Sequence, residues 1–357
     1  MTSPFEFVKR SRVSNPRGHD GIRIAAWLCV CSLTVFSLIL LGGAVRLTGS
    51  GLSMVDWRPF TGLLPPLSNA EWLEAFERYR QFPEFRKVNY GMDLAGFKFI
   101  FLMEYAHRVL ARLAGMVFLI PFLCFLLMRK IDAALIPRLW GLFVLGAVQG
   151  VIGWYMVKSG LVDNPAVSQY RLTLHLLVAV VIYAYMIRLI TGLLSPVRPV
   201  SAPGRVDRFG TVSIVFVLVM IASGGMMAGT HAGFIFNTFP TMGGEWIPGQ
   251  LLALEPVWLN LSENPVAIQF VHRVLALAVA VIVILYSHAV YRRNRGIDRL
   301  MSLLMIVMLA SQLTLGIAAL VNVVPTALGV AHQAGAMLLL TSVLIARYYR
   351  CPVLPRA

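Results

Sequence analysis

Four histidines carry the first chemical signal in this chain. His107, His175, His272 and His332 each stand near the start of a hydrophobic segment, the second, fourth, sixth and eighth of eight such segments. Alternate segments cross a bilayer in the same direction, so all four rings fall on one side of one membrane at similar depth. An imidazole is a poor guest in hydrocarbon and marks a site there. Two imidazoles on facing helices can ligate a haem iron from above and below, and four can hold two haems. Within the first half of the chain the pair is His107 and His175; within the second it is His272 and His332. A lone membrane histidine more often packs against a backbone carbonyl or shuttles protons. Four at repeated positions favour the haem reading.

The neighbours of these residues refine it. Arg108 and Arg273 directly follow His107 and His272 near the outer interface, where a guanidinium suits an anionic haem propionate. Glu104 precedes His107 by one helical turn on the same face, and Gln269 holds that place before His272. A carboxylate beside an iron can act as a general base, orient a water or hold a reactive porphyrin intermediate. An amide cannot take a proton. The asymmetry points to chemistry in the first half and cofactor holding in the second. The competing reading of Glu104 is an ordinary anion at a helix N-terminus, favoured by the dipole.

The elements that position these residues are legible in the composition. Of 357 residues, 58% are hydrophobic and only 13% charged, against about 25% charged in a soluble domain. Apolar blocks near residues 22–45, 99–128, 137–157, 172–194, 210–229, 266–291, 299–321 and 326–348 are each about 20 residues or longer, enough to cross a bilayer as helix. The expected fold class is an all-α integral membrane protein of eight transmembrane helices, arranged as two pseudo-symmetric four-helix bundles.

The net charge of +15 is distributed as a topology signal rather than a nucleic-acid-binding one. Lys9, Arg10, Arg12, Arg17 and Arg23 surround the start of the first span; Arg129, Lys130 and Arg138, then Arg198, Arg205 and Arg208, then Arg292, Arg293, Arg295 and Arg299 fill alternate short loops. No Lys or Arg occurs between Arg208 and Arg273. The positive-inside rule then places both termini in the cytoplasm. The first outer loop mixes Arg78, Arg80, Arg86 and Lys87 with Glu71, Glu74, Glu77 and Glu84, which suggests a small amphipathic helix on the outer surface around residues 70–82. The first apolar block is too long for a signal-peptide core and reads as a retained helix. Cys29, Cys31 and Cys124 fall inside spans and Cys351 in the tail, so no oxidised bridge and no metal-binding cysteine pattern is expected.

Internal repetition divides the chain. Gly42-Gly43 matches Gly224-Gly225, Glu104-x-x-His107-Arg108-Val-Leu-Ala matches Gln269-x-x-His272-Arg273-Val-Leu-Ala, Gln149 and Gly153 match Gln312 and Gly316, and His175 matches His332. Both halves start in the cytoplasm with an even helix count, so they are parallel repeats. The expected domains are residues 1–200, with the substrate haem site, and 201–357, with the cofactor site. The Pro-, Ser- and Arg-rich stretch at 195–209 is the linker between them. Gly146 and Gly150 are read as small residues that let helices approach closely. The segments Gly42–Trp57 and Gly224–Gly233 are rich in Gly, Ser and Thr and can close over the bundle mouth. His231 is a candidate propionate contact; His19 and His288 lie at the other side and receive no role.

Taken together, Glu104-x-x-His107-Arg108, Arg46-Leu-Thr-x-Ser50-Gly51-Leu-Ser-Met54 and Gly229-Thr-His231-Ala-Gly233 with Phe236-Asn-Thr-Phe-Pro240 resemble the haem A synthase family over nearly the whole chain. The resemblance implies that the enzyme oxidises one methyl group of haem O to a formyl group through hydroxylated intermediates, giving haem A for terminal oxidases. It implies that His107 and His175 flank the substrate haem, that His272 and His332 ligate a resident haem b, and that Glu104 is the essential carboxylate. Some bacterial members carry cysteine pairs in their outer loops; this chain has none and resembles the cysteine-free branch of proteobacteria and mitochondria.

Two other classes compete. A cytochrome b-like subunit would carry electrons through haem b without altering a haem, but it would place its haems at different depths. A transporter of parallel repeats would need ionisable groups or broken helices near the midplane, and few are present. The expected partners are the haem O substrate, an upstream haem O synthase, an electron acceptor that the sequence does not identify, and membrane lipid; the oligomeric state, including a homo-oligomer, stays open. No transit sequence is evident, which favours the bacterial cytoplasmic (inner) membrane, with the haem sites toward the periplasm.

Overall fold

The computed structural model describes residues 19–55, 64–161, 165–195, 204–293 and 296–349. Lys9, Arg10, Arg12, Arg17, Trp57, Arg198, Arg295, Cys351 and most of the 195–209 linker lie outside the described residues. Among those described, the ordered elements are α1 (His19–Leu47), α2 (Asn69–Arg80), α3 (Pro83–Lys87), α4 (Leu94–Leu127), α5 (Ile136–Lys158), α6 (Gln169–Leu194), α7 (Arg205–Gly229), α8 (Pro265–Tyr291), α9 (Gly296–Val321) and α10 (Thr326–Tyr348). All but α2 and α3 are long and apolar enough to cross a membrane, eight in total. The chain is an all-α integral membrane protein. Its long connections, 48–93 and 230–264, share one end of the bundle with the 159–168 and 322–325 loops; that end is called the long-loop end below.

Each expected span overlaps an observed helix, and the boundary difference at α4 is informative. Helix α4 begins at Leu94, well before residue 99, because the Asp93 side chain accepts from the Gly96 amide at 2.8 Å and caps the first turn. The added turn carries Phe97, and the next turn Phe101, into a largely aromatic cluster with Trp72, Ala75, Phe76, Tyr79 and Phe85. The amphipathic helix expected at 70–82 is α2, started by a Ser68/Glu71 capping box. Its apolar face packs on α4, while Glu74–Arg78 and Glu77–Arg80 pairs line its exposed face.

Four helices form the centre. Helix α1 packs on α6 and α10, α7 packs on α6 and α10, and α6 meets α10 directly. Helices α4 and α5 flank this centre on one side, α8 and α9 on the other. The larger apolar core joins Ile39, Val180 and Tyr183 to Val217, Val283, Met305 and Leu340, so it crosses between the two halves of the sequence. A second core, built from Leu28, Phe122, Leu139 and Met186, fills the first half near the short loops.

The close approaches fall at Gly43 and Gly225, not at the glycines singled out for that purpose. A Cβ on Gly43 would collide with the Gln333 amide of α10, and one on Gly225 would come within 2.9 Å of Thr173 Oγ1 on α6. Gly146 and Gly150 are exposed and meet no neighbour there. Helix α5 is peripheral, and these two glycines lie on its outward face.

Candidate functional site

His107 lies about three and a half turns into α4, while His175, His272 and His332 lie about two turns into α6, α8 and α10. All four rings are partly buried. His107 and His175 lie within electrostatic reach of each other, and so do His272 and His332. Each ring faces a glycine. A Cβ at Gly42 of α1 would stand 3.2 Å from His107 Nε2, and one at Gly224 of α7 3.7 Å from His272 Cε1. A Cβ at Gly153 of α5 would stand 2.8 Å from His175 Cε1, and one at Gly316 of α9 2.7 Å from His332 Cε1. The same two contacts thus recur in each half, and at Gly153 and Gly316 only the absence of a side chain leaves the ring room.

The ring nitrogens are differently engaged. His107 donates to the Leu38 carbonyl of α1. His272 Nδ1 shares a 3.0 Å hydrogen bond with Ser223 Oγ, which fixes the ring and directs Nε2 away from α7. His175 Nδ1 and His332 Nδ1 are buried with no hydrogen-bond partner among the described residues. A buried nitrogen without a partner is costly unless something else binds it. No group of three His, Cys, Asp or Glu residues among those described could cage a bare metal ion. A porphyrin iron needs only two protein ligands, because the macrocycle supplies four nitrogens, and paired imidazoles fit it.

Glu104 is buried, and three donors converge on it. Ser53 Oγ donates to Oε2 at 2.7 Å and the Met54 amide at 2.8 Å, while Arg108 Nη2 donates to Oε1 at 2.5 Å. Arg108 also reaches the Met54 carbonyl at 3.0 Å. Because α4 starts at Leu94, Glu104 sits nearly three turns inside the helix, beyond the first turn where the dipole acts. The helix-terminus reading of Glu104 therefore fails. Its charge is instead matched to the Ser53–Met54 segment, which it and Arg108 pin over the bundle mouth.

The second half uses the same two positions with opposite polarity. Gln269 Nε2 donates to the carbonyls of Ala232 at 3.0 Å and Phe236 at 3.2 Å. Arg273 donates to the carbonyls of Phe236, Pro240 and Thr241. An amide is required where the loop presents acceptors, and a carboxylate where it presents donors. Both arginines, expected to meet propionates, are engaged with loop backbone; Arg273 Nε alone among that residue's nitrogens is buried without a partner.

The loop histidine has another partner than expected. His231, in a left-handed conformation with φ of 55°, shares a 2.9 Å contact with Arg46 Nη2. Burial and the Arg46 guanidinium together hold its pKa below the ordinary imidazole value. Arg46 also donates to the Ala228 and Gly229 carbonyls, tying the end of α1 to the end of α7. Sequence reading assigned no role to Arg46, Ser53 or Ser223. Arg46 and Ser53 lie inside the motif that carried the resemblance, but their partners are remote in sequence. Gln149 and Gln312, noticed only as repeats, touch the ligand helices: Gln149 Nε2 donates to the His175 carbonyl at 2.8 Å, and Gln312 Nε2 lies 3.4 Å from His332 Nε2.

Comparison with known proteins agrees with this geometry. A family described as cytochrome oxidase assembly protein matches residues 25–344. The chain is similar to the haem A synthase of Nitrosospira multiformis, 49% identical over 327 residues that make up 90% of this chain and 91% of the relative. It is also similar to that of Nitrosomonas eutropha, 45% identical over 94% of this chain and 95% of the relative, and that of Rhodospirillum centenum, 45% identical over 88% and 85%. The matched region holds all four histidines, Glu104 and both loop-pinning arginines, and the chain belongs to the cytochrome oxidase assembly protein family, among relatives that are haem A synthases.

Proposed function

We propose that this protein is a haem A synthase, which oxidises a methyl group of haem O to the formyl group of haem A through hydroxylated intermediates. The observation that carries the reading is the wiring of Glu104. Two otherwise matching sites differ at one buried position beside a histidine, and only the first carries a charge there. In this reading His107 and His175 hold the substrate haem, and residues 1–200 form the substrate half. His272 and His332 in residues 201–357 would hold haem b, which would supply one-electron redox chemistry when bound. The two halves are pseudo-symmetric bundles, a reading supported by the four recurring histidine–glycine contacts.

The chain's own residues do three things. The histidines orient the macrocycle so that one edge faces Glu104, which lies one turn from His107 on the same face of α4. The Arg46–Met54 and 230–241 segments, pinned by Arg108 and Arg273, exclude water from the two bundle mouths. Glu104, held by three donors, is preorganised as a fixed negative charge and stabilises positive charge developing at the methyl carbon being oxidised. We place the long-loop end in the periplasm and both termini in the cytoplasm of a bacterial inner membrane, following the arginine-rich short loops. A haem O synthase supplies the substrate, and an electron acceptor receives the reducing equivalents.

The test is to co-express the chain with a haem O synthase, purify it and identify the extracted haems. Haem B together with haem O and its hydroxylated or formylated products is the expected result. Haem B alone, with haem O available, would mean an electron carrier; no haem would overturn both.

A further inference from the structure

Glu104 is tied to three donors, and converting a methyl to a formyl group breaks carbon–hydrogen bonds and releases protons that need a route out. An aromatic plug closes the long-loop end above α4: Trp72, Phe76, Tyr79, Phe85, Phe97 and Phe101. Inside that plug stands a carboxyl group that nothing in the packing demands. Glu84, in α3, is only 8% exposed. Tyr79 of α2, fully buried, donates its hydroxyl to Glu84 Oε2 at 2.9 Å, and Asn89 Nδ2 donates to the Tyr79 oxygen at 2.8 Å. Asn89 in turn lines an open depression formed by Val88–Asp93 and Gly96. The Asn89 amide, a donor only at Nδ2, fixes the Tyr79 oxygen and carries no proton itself; the hydrogen-bonded groups run from inside the plug to its solvent edge.

The surrounding charges single out Glu84. Met54, whose amide donates to Glu104, packs against the plug that holds Glu84, so the cluster adjoins the first-half site. Among the other ionised groups around the plug, Arg80 of α2 pairs with Glu77 and stacks on Phe76 and Phe85, Lys98 of α4 lies over Trp72, Asp93 caps α4, and Arg86 and Lys87 end α3 after Glu84. Burial pushes the Glu84 pKa up to about 7, the Tyr79 hydrogen bond lowers it, and the Glu104 charge raises it. A base matched to the ambient pH exchanges protons most efficiently in both directions.

We propose that Glu84, held by Tyr79, is the proton-relay residue of the first-half site, taking up protons released there and passing them to solvent beside Asn89. Resting on the function proposed above, the relay moves only protons: the Glu84 carboxylate becomes a carboxylic acid as a proton arrives, and returns to carboxylate as the proton leaves to water. The electrons depart with the oxidation of the methyl group.

The experiment is the pH profile of haem A formation in membranes containing the full chain and a haem O synthase. The wild-type rate should rise along a limb near pH 7. Glu84→Gln keeps the shape and the acceptor for Tyr79, and should remove that limb and slow the reaction roughly tenfold or more, with haem B content unchanged. Glu84→Asp should restore part of the limb. Tyr79→Phe, which keeps the ring in the plug, should move the limb up by roughly 1–2 pH units, because a donor to the carboxylate is lost. A merely structural Glu84 would instead make the wild-type rate fall through pH 7, as the α2–α3 segment loosens on its ionisation. An unaltered limb in Glu84→Gln, or an unshifted limb in Tyr79→Phe, overturns the relay. A wild-type chain that forms no haem A at any pH refutes the proposed function instead.

Discussion

Replacing Glu104 with Gln preserves shape and removes charge, and the structure says what must break. The carboxylate accepts from Ser53 Oγ and Met54 N on one oxygen and from Arg108 on the other. An amide offers one acceptor oxygen. If that oxygen faces Met54, the NH2 group confronts Arg108; if it faces Arg108, the NH2 group confronts the Met54 amide. At least one hydrogen bond to a charged group is lost in either orientation, at about 2–3 kcal/mol. Arg108 and Glu104 side chains are 18% and 5% exposed, so solvent offsets little of this. The Ser50–Met54 segment should then open about 30–160 times more often. Hydrogen exchange at the Met54 amide, measured on the purified protein, reads that factor directly. In the same variant haem A formation should fall by about 10²-fold or more while haem B content holds. Unchanged Met54 exchange would refute the pinning argument, and normal haem A formation would remove Glu104 from the chemistry.

The converse substitution is harsher: Gln269→Glu sets a carboxylate against the Ala232 and Phe236 carbonyls, and haem B content of the purified protein should drop several-fold. Alanine at the histidine-facing glycines should act in graded fashion. Gly153→Ala and Gly316→Ala push a Cβ within 2.8 and 2.7 Å of a ring and should perturb haem spectra and lower haem retention, whereas Gly224→Ala, at 3.7 Å, should be nearly silent. The α2–α3 segment should loosen as pH rises. The Glu84 pKa is raised on folding to about 7, so its protonated form is the one the fold prefers. Its contribution is full below the ordinary carboxylate range and is lost as pH rises through about 7. Limited proteolysis of residues 69–92 across pH 5–9, with Glu84→Gln as the pH-insensitive control, checks this.

Much of the architecture was legible in the sequence because its causes are local. Apolar runs of spanning length announce helices wherever they occur, since a bilayer permits few other structures. Arginine placement and the matched histidines likewise rest on local sequence, and they supply the proposed topology and the proposed pair of sites. The α4 boundary escaped because a cap and an aromatic cluster decided it: Asp93 and the Phe97–Tyr79 contact act on the helix start, where hydropathy is mute. Gly146 and Gly150 misled for the opposite reason. A small-residue spacing shows that close approach is permitted, and only the neighbouring helix decides whether it happens.

The sequence by itself determined the fold class, the eight spans, the four histidines and the unequal pair Glu104 and Gln269. Their spacing and type are properties of one chain segment at a time. The tertiary structure alone decided what those residues do to one another: that Glu104 and Gln269 hold loops of opposite polarity, that Arg46 ties α1 to α7, and that Tyr79 encloses a carboxyl above α4. Hydrogen-bond partners tens to hundreds of residues away leave no period in the sequence, and burial in an aromatic plug, which sets the affinity of Glu84 for its proton, exists only once the helices have met.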